Sequence, residues 1–146
     1  MKTVAGFLFA LLLAGPSWAV LGQPEQSVTS DQQRMKGELR SVRQQGYTAH
    51  EITAPDGMIV KEYAAPNGIV FGISWHGPVM PNLKSLLGAY FPEFQQSAAN
   101  AGPHHRVLAV RTDRLVVESS GHMRSFRGRA YVPGLLPASI TEEVIQ

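Results

Sequence analysis

The chain of 146 residues is one domain's worth of polypeptide, enough to bury a moderate core. It holds no cysteine, which removes disulfides, thiol catalysis and thiolate metal sites together. Of its 13 Lys and Arg one is Lys2, leaving 12 against 11 acids in the rest of the chain, too even a balance for a binder of nucleic acid or anionic membrane.

Met1-Lys2-Thr3 carries one positive charge, Val4 to Ala14 is an unbroken run of apolar and small residues, and Gly15-Pro16 breaks it. Ser17-Trp18-Ala19 then supplies small residues at the two positions that a secretory cleavage site needs. The pattern predicts a signal peptide over 1–19, cut after Ala19, and a single domain over 20–146. An apolar run of roughly 11 residues is too short to span ~30 Å of hydrocarbon, so no stable membrane anchor is expected after cleavage.

Val20 to Gln26, with Gly22 and Pro24, reads as a flexible leader. From Ser27, Val28, Met35, Leu39 and Val42 recur at steps that share one helix face, and Gly46 is placed to end that helix. Tyr47 to Gly77 writes the same turn twice, Ala54-Pro55-Asp56-Gly57 and Ala65-Pro66-Asn67-Gly68, between three β-rich runs, and predicts an antiparallel meander. In the register that sets unlike charges opposite, Glu51 meets Lys61 and His50 meets Glu62. Repeating the turn at Gly68 pairs Tyr63 with Phe71 and Ile59 with Trp75. One face then collects Ile59, Tyr63, Ile69, Phe71, Ile73 and Trp75, the side expected to receive a helix. The other collects His50, Ile52, Val60, Glu62, Gly72, Ser74 and His76, expected to be half wet.

Asn82 is a good N-cap. Leu83, Leu86, Leu87, Tyr90, Phe91 and Phe94 follow at three- and four-residue steps, an amphipathic helix that Pro92 should kink or bring to its final turn. Ser97 to His105 reads as a loop. Three strands close the chain, Val107 to Arg111, Leu115 to Ser119 and about Met123 to Val132, with Ser120-Gly121-His122 as one link. In the last, Arg127, Arg129 and Tyr131 alternate with Phe126, Gly128, Ala130 and Val132, so one face is basic and the other apolar. Pro133 and Pro137 end the strand, and Ser139 to Glu142 can start a terminal turn. The expected fold is α+β in the order α-β-β-β-α-β-β-β: an antiparallel sheet of about six strands in two meanders, with two amphipathic helices on one face.

No recognised catalytic constellation emerges. The five histidines show no metal-ligand spacing, so no metal is expected, and no motif asks for a cofactor. Gly72 to Gly77 places Ser74 and His76 in a strand, without the strand-turn-helix setting of a nucleophile elbow. His50 with Glu62 is the one acid–histidine pair worth following as acid–base groups, with His76 beside them. Arg124, Arg127 and Arg129 with Tyr131 suit a carboxylate or other anionic partner, because Arg forms bidentate pairs with such groups.

Several stretches carry a resemblance: Gly46-Tyr47 with His50-Glu51, Val60-Lys61-Glu62-Tyr63, Trp75-His76-Gly77-Pro78, Leu86-Leu87-Gly88 with Tyr90-Phe91, and Gly121-His122-Met123-Arg124 through Gly128-Arg129-Ala130-Tyr131. Together they resemble a family of small exported bacterial proteins known only as a domain of unknown function. The resemblance implies a periplasmic or secreted protein and brings no cofactor or catalytic residue with it. The expected role is therefore a non-enzymatic exported protein that binds an envelope protein or an anionic ligand through His50, Glu62, Ser74, His76, Arg124, Arg127 or Arg129. The alternatives are a small acid–base enzyme using His50 and Glu62 or His76, and a subunit of an exported envelope complex.

Overall fold

The computed structural model describes residues 20–102 and 107–146. The leader that ends at Ala19 and the His104-His105 pair lie outside them. In chain order the elements are α1 (Ser27–Met35), β1 (Glu38–Gln44), β2 (Tyr47–Thr53), β3 (Ile59–Ala64), β4 (Val70–Gly77), α2 (Leu83–Leu87), a 3-10 turn (Gly88–Tyr90), α3 (Phe91–Asn100), β5 (Val107–Arg111), β6 (Val116–His122) and β7 (Ser125–Tyr131). Two further 3-10 turns, Pro133–Leu135 and Glu142–Val144, lie in the segment after β7. All seven strands form one antiparallel sheet in the order β1-β2-β3-β4-β7-β6-β5. The class is α+β, and the two meanders join where β4 pairs with β7.

The seventh strand is the second half of the expected first helix. α1 stops at Met35; Lys36 adopts a left-handed conformation (φ 51°), and Gly37 then turns the chain back along β2. A Cβ on Gly37 would lie 2.7 Å from Ile52 Cγ2 and 2.8 Å from the Thr53 carbonyl, so only glycine lets the chain pass there. Leu39 and Val42 shared a predicted helix face. As strand residues they point to opposite sides, Leu39 opposite Ile52 and Val42 opposite Ala49. Gly46 (φ 89°) serves a tight hairpin turn between β1 and β2 rather than a helix end.

Val20 to Gln26 is tied down, not loose. Val20 and Leu21 are fully buried, Gly22 N–H donates to the Val70 carbonyl at 2.8 Å, and Glu25 N–H donates to that of Gly68 at 2.7 Å. The expected single helix from Leu83 is broken. Asn82 caps α2, its Oδ1 accepting from Ser85 N–H at 3.1 Å, but the 3-10 turn follows and Pro92 sits in the first turn of α3, where its missing N–H costs nothing. α3 continues to Asn100, into the stretch expected to be loop.

The β2–β3 hairpin has the expected register, with His50 opposite Glu62 and Glu51 opposite Lys61. The next hairpin starts as expected, Ala64 opposite Val70, and then a bulge between Tyr63 and Ala64 shifts it by one residue. Tyr63 faces Gly72 instead of Phe71, and Ile59 faces His76 instead of Trp75. A one-residue shift exchanges the faces of a strand. Ile73 and Trp75 therefore join Ile52, Val60 and Glu62 on one side, while Ser74 and His76 join Ile59, Lys61 and Tyr63 on the other.

The helices cover the first of these sides, the one expected to be half wet. There Ile52, Val60, Ile73, Trp75, Val117 and Ala130 pack with Val28 of α1, Leu86 and Leu87 of α2 and Phe94 of α3. The second side buries a smaller cluster of Tyr63, Phe71, Val116, Tyr131 and Ile145, in which Tyr47, Tyr63 and Phe71 make aromatic contacts at 6.0–6.4 Å. Its cover is the chain after β7, folded back as a strap. Gly72 leaves room for it, since a Cβ there would lie 2.6 Å from Ile145 Cδ1. The last hairpin turns at Met123-Arg124, later than Ser120-Gly121-His122. Gly121 is a seat for the Phe126 ring opposite it, 2.4 Å from where a Cβ would be, and this explains a glycine that has no turn to make.

Candidate ligand-binding site

Three of the seven sequence-selected residues do not share a surface with the rest. His50 and Glu62 sit on the helical side of the sheet, beneath α1. Glu62 is fully buried, and neither of its carboxylate oxygens has a hydrogen-bond partner among the described residues. Burial pushes its pKa up to about 8, with the Arg34 charge pulling the other way, so it is mostly protonated at neutral pH. His50 stands opposite Glu62 but bonds elsewhere: Nδ1 lies 2.7 Å from Ser41 Oγ and Nε2 2.6 Å from Glu25 Oε1. Arg124 is exposed in the β6–β7 turn with φ 61°.

Ser74, His76, Arg127 and Arg129 do come together, on the strap side. The pleat and the antiparallel register lay them in two adjacent rows across the sheet. One row runs Lys61, Ser74, Arg129, Glu118, Ala109; the next runs Ile59, His76, Arg127, Ser120, Val107. In the first row the charges are paired. Arg129 Nε donates to Glu118 Oε2 at 2.8 Å and its Nη1 to the Glu142 carbonyl at 3.1 Å, and Arg111 also pairs with Glu118. The Arg129 hydrogen bond, with help from Arg111, holds Glu118 below the usual carboxylate range despite partial burial. Ser74 is buried and committed: its hydroxyl donates to the main-chain oxygen of Gln146 at 2.8 Å, as does that of Tyr63 at 2.7 Å, while Gln146 N–H donates back to Tyr63 Oη at 3.0 Å.

The second row is different. Arg127 and His76 are exposed, and among the described residues Arg127 has no acidic partner. His76, Arg127 and Ser120 of this row, with Arg129 and Glu118 of the first, form the floor of an open groove of about 540 Å³, walled on one side by Ile145 and Gln146 of the strap and on the other by Val107 and Ala109 of β5. That is within the usual range of small-molecule sites. Apart from the ionic and hydroxyl groups of its floor and Gln146 of the strap, its walls are the aliphatic side chains of Val107, Ala109 and Ile145.

Residues 17–145 match the family described as "Protein of unknown function (DUF2844)". The chain belongs to this family. No curated protein and no solved structure matches it. Among the described residues no three His, Asp or Glu side chains gather to hold a metal ion, and no helix is long and apolar enough to cross a membrane.

Sequence reasoning found His76, Arg127 and Arg129 of the groove but read Ser120 as part of a turn and missed the walls. Val107 and Ala109 lie with Leu108 and Val110 in an unbroken apolar run, which marks a strand without telling one face from the other. Ile145 and Gln146 gave no signal, because only folding brings them beside β4.

Proposed function

We propose that this chain is an exported, non-catalytic binding protein that takes an anionic ligand in the groove over β4, β7, β6 and β5. The observation that carries the reading is Arg127, presented between His76 and Ser120 in an apolar-walled groove with no acidic partner among the described residues. A guanidinium left unpaired in a partly desolvated site favours an anionic partner, and its planar fork suits a carboxylate. Export is supported by the charged, apolar and small-residue order of Met1 to Ala19. A ligand of the periplasm or the outside is then expected.

The test is nuclear magnetic resonance of the labelled protein titrated with an extract of the cell envelope. Shifts should concentrate on His76, Ser120, Arg127 and Gln146, and Arg127→Ala should remove them. An extract that leaves these signals in place, or moves them equally in the variant, rules the groove out as the site.

A further inference from the structure

Within the binding reading, on which this step rests, the lining of the groove narrows the ligand. We infer that the occupant is a long-chain carboxylate, a fatty-acid-like amphiphile whose head meets Arg127 and whose tail lies between β5 and the strap.

Three features favour it. The first is charge. Of the two arginines on the floor, Arg129 is used by Glu118, the Glu142 carbonyl and the Tyr131 ring, whose centroid lies 6.0 Å from the guanidinium. That leaves Arg127 as the guanidinium of the floor with no acidic partner among the described residues, with Glu118 in the neighbouring row. A single unpaired guanidinium can neutralise a monoanion in full, whereas a dianion such as a phosphate monoester would keep a second charge without a partner of its own. His76 and Ser120 are the direct cross-strand neighbours of Arg127, at the ~5 Å side-chain spacing of such pairs, so they can donate to the same head group.

The second feature is the wall. Val107 is 63% exposed at the rim and Ala109 lies along the same strand face, while Ile145 forms the opposite side. A large aliphatic side chain held open at the mouth of a cavity gains by being covered with hydrocarbon.

The third feature separates this ligand from an anionic sugar. Carbohydrate sites offer an open aromatic face and rows of amide and hydroxyl groups. Here Trp75 of β4 is 2% exposed and turns its ring to the helical side of the sheet, over Gly128, where a Cβ would come within 2.2 Å of it. Of the polar groups near the strap, Ser74 and Tyr63 are already bonded to Gln146.

Calorimetric titration of the purified protein with laurate below its micellar concentration tests the inference. Laurate should bind one to one; Arg127→Ala should weaken it at least tenfold, Arg124→Ala, outside the groove, should leave it unchanged, and dodecanol should bind at least tenfold more weakly than laurate. Equal laurate affinity in Arg127→Ala overturns the assignment. Tighter binding of dodecyl phosphate or of an oligouronate overturns the ligand class and leaves the binding reading standing. If laurate fails while envelope extract still shifts the groove signals, the ligand class alone is lost. If neither acts on the groove, both fall.

Discussion

Glu62 carries a carboxyl with no hydrogen-bond partner among the described residues into the centre of the sheet, where a neutral acid is tolerated and an anion is not. Its folded pKa of about 8 stands above the ordinary value of 4.5. Between those values the folded protein keeps a proton that the unfolded chain releases. The resulting stability is fully present below pH 4.5, falls as pH rises, and is lost through about pH 8. The slope approaches about 1.4 kcal/mol per pH unit over that window. Glu118, shifted the opposite way, contributes stability that is present above its ordinary value of 4.5 and is lost only in the acid range, as pH falls through its lowered pKa. Urea unfolding from pH 5 to 8 should therefore show a falling midpoint in the wild type. Glu62→Met should flatten that trend and raise stability at pH 7 by about 1–3 kcal/mol, since an unsatisfied buried polar group is replaced by an apolar one of similar length. A wild-type midpoint independent of pH would contradict the burial argument.

At the scale of elements, glycines show where one layer is pressed against the next. Gly37 admits β1 against β2, Gly72 admits the strap, and Gly128 admits the Trp75 ring from β4. Gly128 is the most constrained, because a Cβ would meet both that ring at 2.2 Å and the Glu118 carbonyl at 2.6 Å. The backbone of β6 cannot yield as a flexible side chain would. Gly128→Ala is expected to destabilise the protein by about 1–3 kcal/mol and to shift Trp75 fluorescence to the red as the ring is displaced toward water. Unchanged stability and emission would mean that the ring has another resting place. The β2–β3 hairpin behaves as the local sequence demanded: its Pro-Asp-Gly turn and its opposed charges agree, and Lys61 Nζ lies 3.6 Å from Glu51 Oε2. β4 departs from that pattern only because the bulge intervenes.

For the whole molecule, the arrangement is a sheet with helices on one side and, on the other, a strap that covers part of the surface and leaves the groove. Among the described residues no further strand pairs with β1 or β5 at the two edges. β1 blunts its edge with Glu38, Arg40 and Arg43 among its exposed residues, a common defence against strand-to-strand aggregation. Val20 and Leu21 are wholly buried, with Leu21 N–H donating to the Leu86 carbonyl at 3.3 Å, so the folded part reaches back to the residue after the proposed cleavage site. The export reading predicts that protein isolated from the periplasm or medium begins at Val20. N-terminal sequencing checks this, and a start at Met1 would refute cleavage.

What the sequence determined by itself was local. Period-2 runs marked most of the strands, Asn82 marked a helix start, and Pro-Asp-Gly with Glu51 and Lys61 marked a hairpin and its register, because turn chemistry and nearest-neighbour charge act over a few residues. The arginines of the groove were legible for the same reason: Arg127 and Arg129 alternate with small and apolar residues along one strand. Where choices were non-local, the tertiary structure decided. Glu38 to Gln44 has enough helical spacing to mislead, and pairing with β2 settles it as a strand. The bulge beside Tyr63 exchanged the faces of Ser74 and His76 with those of Ile73 and Trp75. It separated His50 and Glu62 from the groove and brought His76 opposite Arg127. The strap then closed one wall with Ile145 and Gln146, 70 residues or more beyond their hydrogen-bond and packing partners in β3 and β4. A strand's side chains alternate by a rule the sequence states plainly; which side of the sheet is covered, and by what, is set by contacts between segments far apart in the chain.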